Sequence, residues 1–222
     1  MSTLRRPLVV LAALISLLAA CRGDAAVLET TIPEDLEPTE VVRALLEAIN
    51  EGRFEDTPSI TDAEQAGLLV LAEGANPTEV VEAIGDDPDA VAANFWSGFA
   101  QTLEPEFSLA EATIEAGETL QEGGEEYVAV SVVTPEAERV FYLRRNGNWK
   151  IDLMATFGHI VAERLVPRVE ALLSSANSHA ATVVGMLNES ASSLQLAARN
   201  PDLEASAHQS LLALIERVTR AG

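Results

Sequence analysis

Val140-Phe141-Tyr142-Leu143-Arg144-Arg145-Asn146-Gly147-Asn148-Trp149-Lys150-Ile151-Asp152-Leu153 reads as a β-hairpin. β-Branched and aromatic residues flank Asn146-Gly147, the dipeptide best suited to the positive φ angles of a type I′ turn. A two-residue loop there predicts the pairs Arg145 with Asn148, Arg144 with Trp149, Tyr142 with Ile151 and Val140 with Leu153. In that register Val140, Tyr142, Arg144, Trp149, Ile151 and Leu153 form the face expected to bury against a helix, with Arg144 and Trp149 as a cation–π pair. The opposite face carries Arg139, Phe141, Leu143, Arg145, Asn148, Lys150 and Asp152, and its Phe141 and Leu143 require cover of their own.

Upstream, Tyr127 to Thr134 predicts a strand with Val128, Val130 and Val132 on one face. Gly123-Gly124 predicts a turn, and Phe107 to Leu120 a long, irregular strand. Before Pro105 the apolar period is helical. Pro38-Thr39-Glu40 opens a helix striped by Val41, Val42, Leu45, Leu46 and Ile49, and Gly52 is placed to end it in the left-handed conformation. Thr61 with Glu64 (a capping-box pattern), Pro77, and Asp87-Pro88 open three more.

Downstream, apolar residues recur every three or four positions from Leu165 to Leu194. Asn200-Pro201 interrupts them before a second stripe from Leu203 to Val218. The fold class expected is therefore α+β, with helices packed on a curved antiparallel sheet and a C-terminal α-helical hairpin. The hairpin is expected to cover Phe141 and Leu143, bringing Glu163 or Glu170 to the cationic patch of Arg139, Arg145 and Lys150.

At the N-terminus, Arg5-Arg6 precedes an apolar run that closes in Leu18-Ala19-Ala20-Cys21. A run of roughly 14 residues is short of the ~20 that span a bilayer, and small residues at Ala19 and Ala20 suit a peptidase. The segment closely resembles the lipobox of bacterial lipoproteins. That resemblance implies that residues 1–20 leave as a signal peptide and that Cys21 becomes the acylated first residue, carrying diacylglycerol and an N-linked chain such as palmitate. The implied partner is the membrane, reached through the lipid on Cys21. The implied location is the extracytoplasmic face of the cell membrane, periplasmic or outer. Residues 21–37 would be a tether, 38–157 an α+β domain and 158–222 the helical hairpin.

The chain has a net charge of −21. Loss of Arg5 and Arg6 from its 14 basic residues leaves 12 against 35 acidic ones, a net −23. Nucleic acid is excluded as a partner, and anionic headgroups repel the body from the bilayer surface. Cys21 is the sole cysteine, so neither an intrachain disulfide nor a thiolate metal site can form.

Glu47-Ala48-Ile49-Asn50-Glu51-Gly52-Arg53-Phe54 closing the first helix, together with the late Asn146-Gly147-Asn148-Trp149-Lys150-Ile151, resembles the nuclear transport factor 2-like superfamily, particularly its small bacterial lipoproteins and lumazine-binding-like members. The likeness covers residues 38–157. It implies a cone in which a bent sheet wraps the first helix and leaves a pocket, found in isomerases, dehydratases and cyclases and in binding proteins that catalyse nothing. The enzymes set a carboxylate or histidine base in an apolar pocket, often beside a tyrosine donor. The corresponding candidates here are Asp152, His159 and Tyr142, with Tyr127 a second phenol.

Each candidate has a plainer reading. Asp152 would be a surface or ion-paired carboxylate, Tyr142 a packing residue opposite Ile151, and His159 a residue near a helix start. No cofactor or metal is expected. His179 and His208 are too few for a metal site, and the chain has no P-loop, dinucleotide-binding fingerprint, nucleophile elbow or His-Glu-x-x-His motif. Three readings stay open: a non-catalytic module for a small apolar ligand or an envelope protein, an isomerase- or dehydratase-like enzyme, and a spacer presenting its C-terminal helices.

Overall fold

The computed structural model describes residues 32–33, 35–102, 112–135, 137–174, 177–200 and 203–221. The signal segment, Cys21 and most of the tether lie outside them, as do residues 107–111 of the strand expected to start at Phe107.

Helices α1 (Pro38–Glu51), α2 (Ala63–Glu73), α3 (Pro77–Asp86) and α4 (Pro88–Ala100) come first, with a 3₁₀ segment, Phe54–Ile60, between α1 and α2. Strands β1 (Thr113–Glu122), β2 (Glu125–Val133), β3 (Glu138–Asn146) and β4 (Asn148–Ile151) form an antiparallel sheet in sequence order. Helices α5 (Leu153–Ser174), α6 (Ala180–Glu189), α7 (Ala191–Ala197) and α8 (Ala205–Ala221) complete the chain. The fold is α+β, with helices packed on a curved antiparallel sheet and further helices at the C-terminus. Among the described residues that C-terminal region has four helices rather than two arms, and the residue 157/158 boundary falls inside α5.

Local capping chemistry sets most helix ends. Gly52 closes α1 at φ 72°, and Asp87 opens α4 by accepting from the Ala90 amide at 3.0 Å. At α2 the cap is Asp62, not Thr61: its Oδ1 accepts from the amides of Glu64 (2.9 Å) and Gln65 (3.2 Å). A carboxylate suits the positive end of a helix better than a hydroxyl does. Thr61 is buried and accepts instead from the Trp96 indole N–H at 2.8 Å.

The β3–β4 register is offset by one residue from the type I′ expectation. Asn146 pairs with Asn148 across Gly147, Arg145 with Trp149, Arg144 with Lys150, and Leu143 with Ile151. A one-residue slip inverts β3 relative to β4, so Ile151 and Leu153 are buried as expected while the faces of β3 are exchanged. Phe141, Leu143 and Ile151 are therefore core, continuous with Val128, Val130 and Val132 of β2, while Val140 is exposed. Non-local pairing decides this: Val128 and Val130 stand opposite Leu143 and Phe141, which gathers the apolar residues on one face. Trp149 is only half-buried, and the guanidinium over its ring is that of Arg145, at 5.6 Å, rather than Arg144.

The inner face packs against α1, which touches β1, β2 and β4. Phe95, Trp96 and Phe99 of α4 meet Phe157 of α5 and, through it, Phe141 in a run of ring contacts 5.1 to 6.5 Å between centroids. The C-terminal helices do not cover Phe141 and Leu143 in the manner expected. Glu163 accepts from Ser206 at 2.7 Å and Glu170 pairs with Arg217 at 2.5 Å, so both carboxylates tie α5 to α8 instead of meeting the sheet's cations.

On the outer face, α7 sits over the β1–β2 turn, where a Cβ on Gly123 (φ +61°) would come within 2.0 Å of Ser192 Oγ. Beneath it, Tyr127 packs with Ala155 and Leu196.

Candidate functional site

β4 ends at Ile151, and α5 begins at Leu153, one residue beyond. Asp152 Oδ1 accepts from the Ala155 amide at 2.8 Å, and the Asp152 carbonyl accepts from the Thr156 amide at 3.0 Å. Asp152 is thus an N-cap, turning the chain directly from strand to helix. The first turn of α5 also completes the hydrogen bonding of β3 beyond the end of β4. The Tyr142 amide donates to Thr156 Oγ1 at 3.0 Å, and the Tyr142 carbonyl accepts from the Asp152 amide at 2.8 Å.

Asp152 is 1 % exposed, so the surface-carboxylate reading does not hold. Its Oδ2 accepts from Ser193 of α7 at 2.6 Å and lies 3.5 Å from Arg144 Nε. Arg144 also reaches Asp62 at 3.3 Å and Glu125 at 3.2 Å. Tyr127 donates to Glu125 at 2.8 Å, and its hydroxyl lies 3.4 Å from Ser193 Oγ. Gln65 Oε1 accepts from the amides of Leu153 (2.7 Å) and Met154 (3.3 Å), the orphan donors of the first α5 turn. Five elements, α2, β2, β3, α5 and α7, are fastened at one place. The cavity beside Arg144 and Asp152 measures about 50 Å³, room for little more than water.

Burial pushes the Asp152 carboxyl up, against the opposing pull of Ser193, the Ala155 amide and Arg144. Burial likewise raises the Tyr127 phenol. A phenol that donates to Glu125 and a carboxylate whose two oxygens are both engaged are structural groups, not an acid and base awaiting substrate.

Tyr142 and His159 lie elsewhere, together. They line a half-open groove of about 540 Å³ between β3 and α5, with Phe99, Val140, Phe157 and Ile160 as its apolar walls. His159 is within α5 rather than near its start, and Tyr142 stands opposite Ala129, not Ile151. Asp152 does not reach this groove. His208 contacts the Ala198 carbonyl at 2.9 Å and His179 precedes α6. Among the described residues no group of His, Cys, Asp or Glu forms a metal cluster.

Sequence reasoning passed over Gln65, Arg144 and Ser193 as members of the buried network, and Phe99 and Phe157 as groove walls. A polar residue inside an apolar helix, such as Gln65 before Ala66-Gly67-Leu68, was the available signal for the first.

The titrations have a consistent sign. Asp152, Glu73 and Glu64 all have raised carboxyl pKa values, chiefly through burial. A raised value means that the folded chain binds protons more readily than the unfolded one, so stability rises as pH falls through the folded values and is complete below about 4. Repulsion within a chain of net −21 fades in the same direction. The melting temperature should be a few degrees higher at pH 5 than at pH 8, roughly the effect of 1 kcal/mol. Thermal denaturation followed by circular dichroism checks this, and a lower value at pH 5 contradicts it.

No protein-family model, curated protein sequence or solved structure matches this chain.

Proposed function

We propose that this protein is an envelope lipoprotein, anchored through Cys21 outside the cytoplasm, whose nuclear transport factor 2-like body binds a small apolar ligand without transforming it. The groove between β3 and α5 carries the reading. Its volume is within the roughly 300–1,000 Å³ of small-molecule sites, and Phe99, Phe157 and Ile160 give it an apolar wall beside a polar rim that includes Glu138, Arg139 and Asn200. Asp152, the carboxylate candidate, caps α5 and does not line the groove, which weighs against it as the base. The placement of α1 against the antiparallel sheet supports the superfamily resemblance. No helix among the described residues is long and apolar enough to cross a membrane.

One observation favours the enzyme reading: Tyr142 and His159 share the groove. In an isomerase or dehydratase, His159 would be the base and Tyr142 the donor.

Groove binding is tested with the neutral apolar probe N-phenyl-1-naphthylamine. Its fluorescence should rise on the wild-type protein and the rise should be lost in Ile160→Glu, which places a charge in the half-open wall. Equal fluorescence in both proteins counts against the groove.

Anchoring is tested separately. The wild-type chain should partition into a detergent phase and carry acyl mass on an N-terminal Cys21, whereas Cys21→Ser should be unprocessed or remain in the aqueous phase. An unacylated N-terminus, or one beginning at another residue, would falsify the lipoprotein assignment.

A further inference from the structure

β1 is an edge strand. Among the described residues it pairs only with β2, and eight of its ten residues are exposed, on both faces of the strand. An edge of this length presents main-chain donors and acceptors along one side, a template for another strand. Its charge is one-sided: Glu115 and Glu118 are exposed, and the sequence contains no Lys, Arg or His anywhere from Phe54 to Glu138. Arg199 pairs with Glu122 at the far end of the strand.

We propose that β1 docks an extended, lysine- or arginine-bearing segment of another protein as a fifth strand of the sheet. Main-chain hydrogen bonds would supply the pairing, and basic side chains at alternate positions would meet Glu115 and Glu118. The same glutamates turn away a second copy of this chain, because two β1 edges would bring like charges together at the seam. The irregularity between Ala116 and Thr119, where Gly117 lies close to the Ala129 carbonyl, divides the edge into two short stretches. Each stretch pairs with a few residues, which suits a short peptide better than a long flat strand. This surface is distinct from the β3–α5 groove, so groove ligands and β1 partners should bind independently.

The test uses the full chain in uncharged detergent and two probe peptides of about eight residues, one alternating Lys with Val and one alternating Lys with Pro. Both carry the same charge, but proline lacks the amide needed to pair with a strand. The Lys-Val peptide should bind at least about tenfold more tightly by fluorescence anisotropy, a difference of about 1.4 kcal/mol. It should also slow amide hydrogen exchange within Thr113–Glu122. Glu115→Lys with Glu118→Lys should remove that preference. Equal affinity for the two peptides would reduce the effect to general attraction by an acidic surface and overturn the proposal. So would protection outside β1, absence of binding, or self-association through β1. The exchange measurement on the wild-type chain holds even if the double variant folds poorly.

Discussion

Trp96→Ala should destabilise the fold by about 3–5 kcal/mol, the range for truncating a large aromatic side chain in a core. Trp96 is fully buried, meets Phe95, Phe99 and Phe157 edge-on at 5.1 to 6.4 Å, and donates its indole N–H to Thr61. Thr61 in turn bridges to Ile151 on β4, so one ring is keyed to helix, loop and sheet. Trp149→Ala is the matched control. Partly buried at the edge of the core beside Arg145, Trp149 should cost less than Trp96, since part of its ring stays in water. Urea denaturation of the two variants checks the order, and a larger loss at Trp149 than at Trp96 contradicts it.

Arg144→Met should cost a comparable amount, about 3–5 kcal/mol at pH 8, because it leaves Asp152 ionised and buried without its cationic partner. The loss should shrink at pH 5, where Asp152 can take up a proton. Adding Asp152→Asn to Arg144→Met should recover part of the stability at pH 8, since the amide carries no charge to leave stranded. Denaturation curves at both pH values separate the charge from the packing of the long side chain. If the loss is the same at pH 5 and pH 8, Arg144 acts through its aliphatic stem.

The features legible in the sequence are those decided within a few residues. Gly52, Asp87-Pro88 and Gly123-Gly124 mark their helix ends and turn correctly because each device is a short-range steric or capping effect. The hairpin at Asn146-Gly147 was legible as a turn, but its register was not. Each face taken alone offers a plausible apolar set, and the choice is made by Val128 and Val130 on the neighbouring strand. Asp152 was misread for a similar reason. Its burial depends on Ser193, 41 residues away, and its helix start on Gln65, 88 residues from Leu153. The groove is likewise assembled from α4, β3 and α5, and no local pattern joins Phe99 to Tyr142 and Phe157.

The junction at Asp152 bears on the order in which the chain can fold. Its partners include Gln65, early in the sequence, and Ser193, late in it, while Tyr127 reaches forward 66 residues to the same serine. Asp62, Glu125 and Arg144 all precede in sequence the serine that completes the cluster. Until α7 arrives, the turn from strand to helix has a carboxylate without its hydroxyl donor, and Tyr127 lacks the cover of Leu196. Contacts of such long sequence separation make folding slow and late. The sheet half and the helical half therefore form one cooperative unit, and a polypeptide stopped short of α7 would wait with its outer sheet face bare.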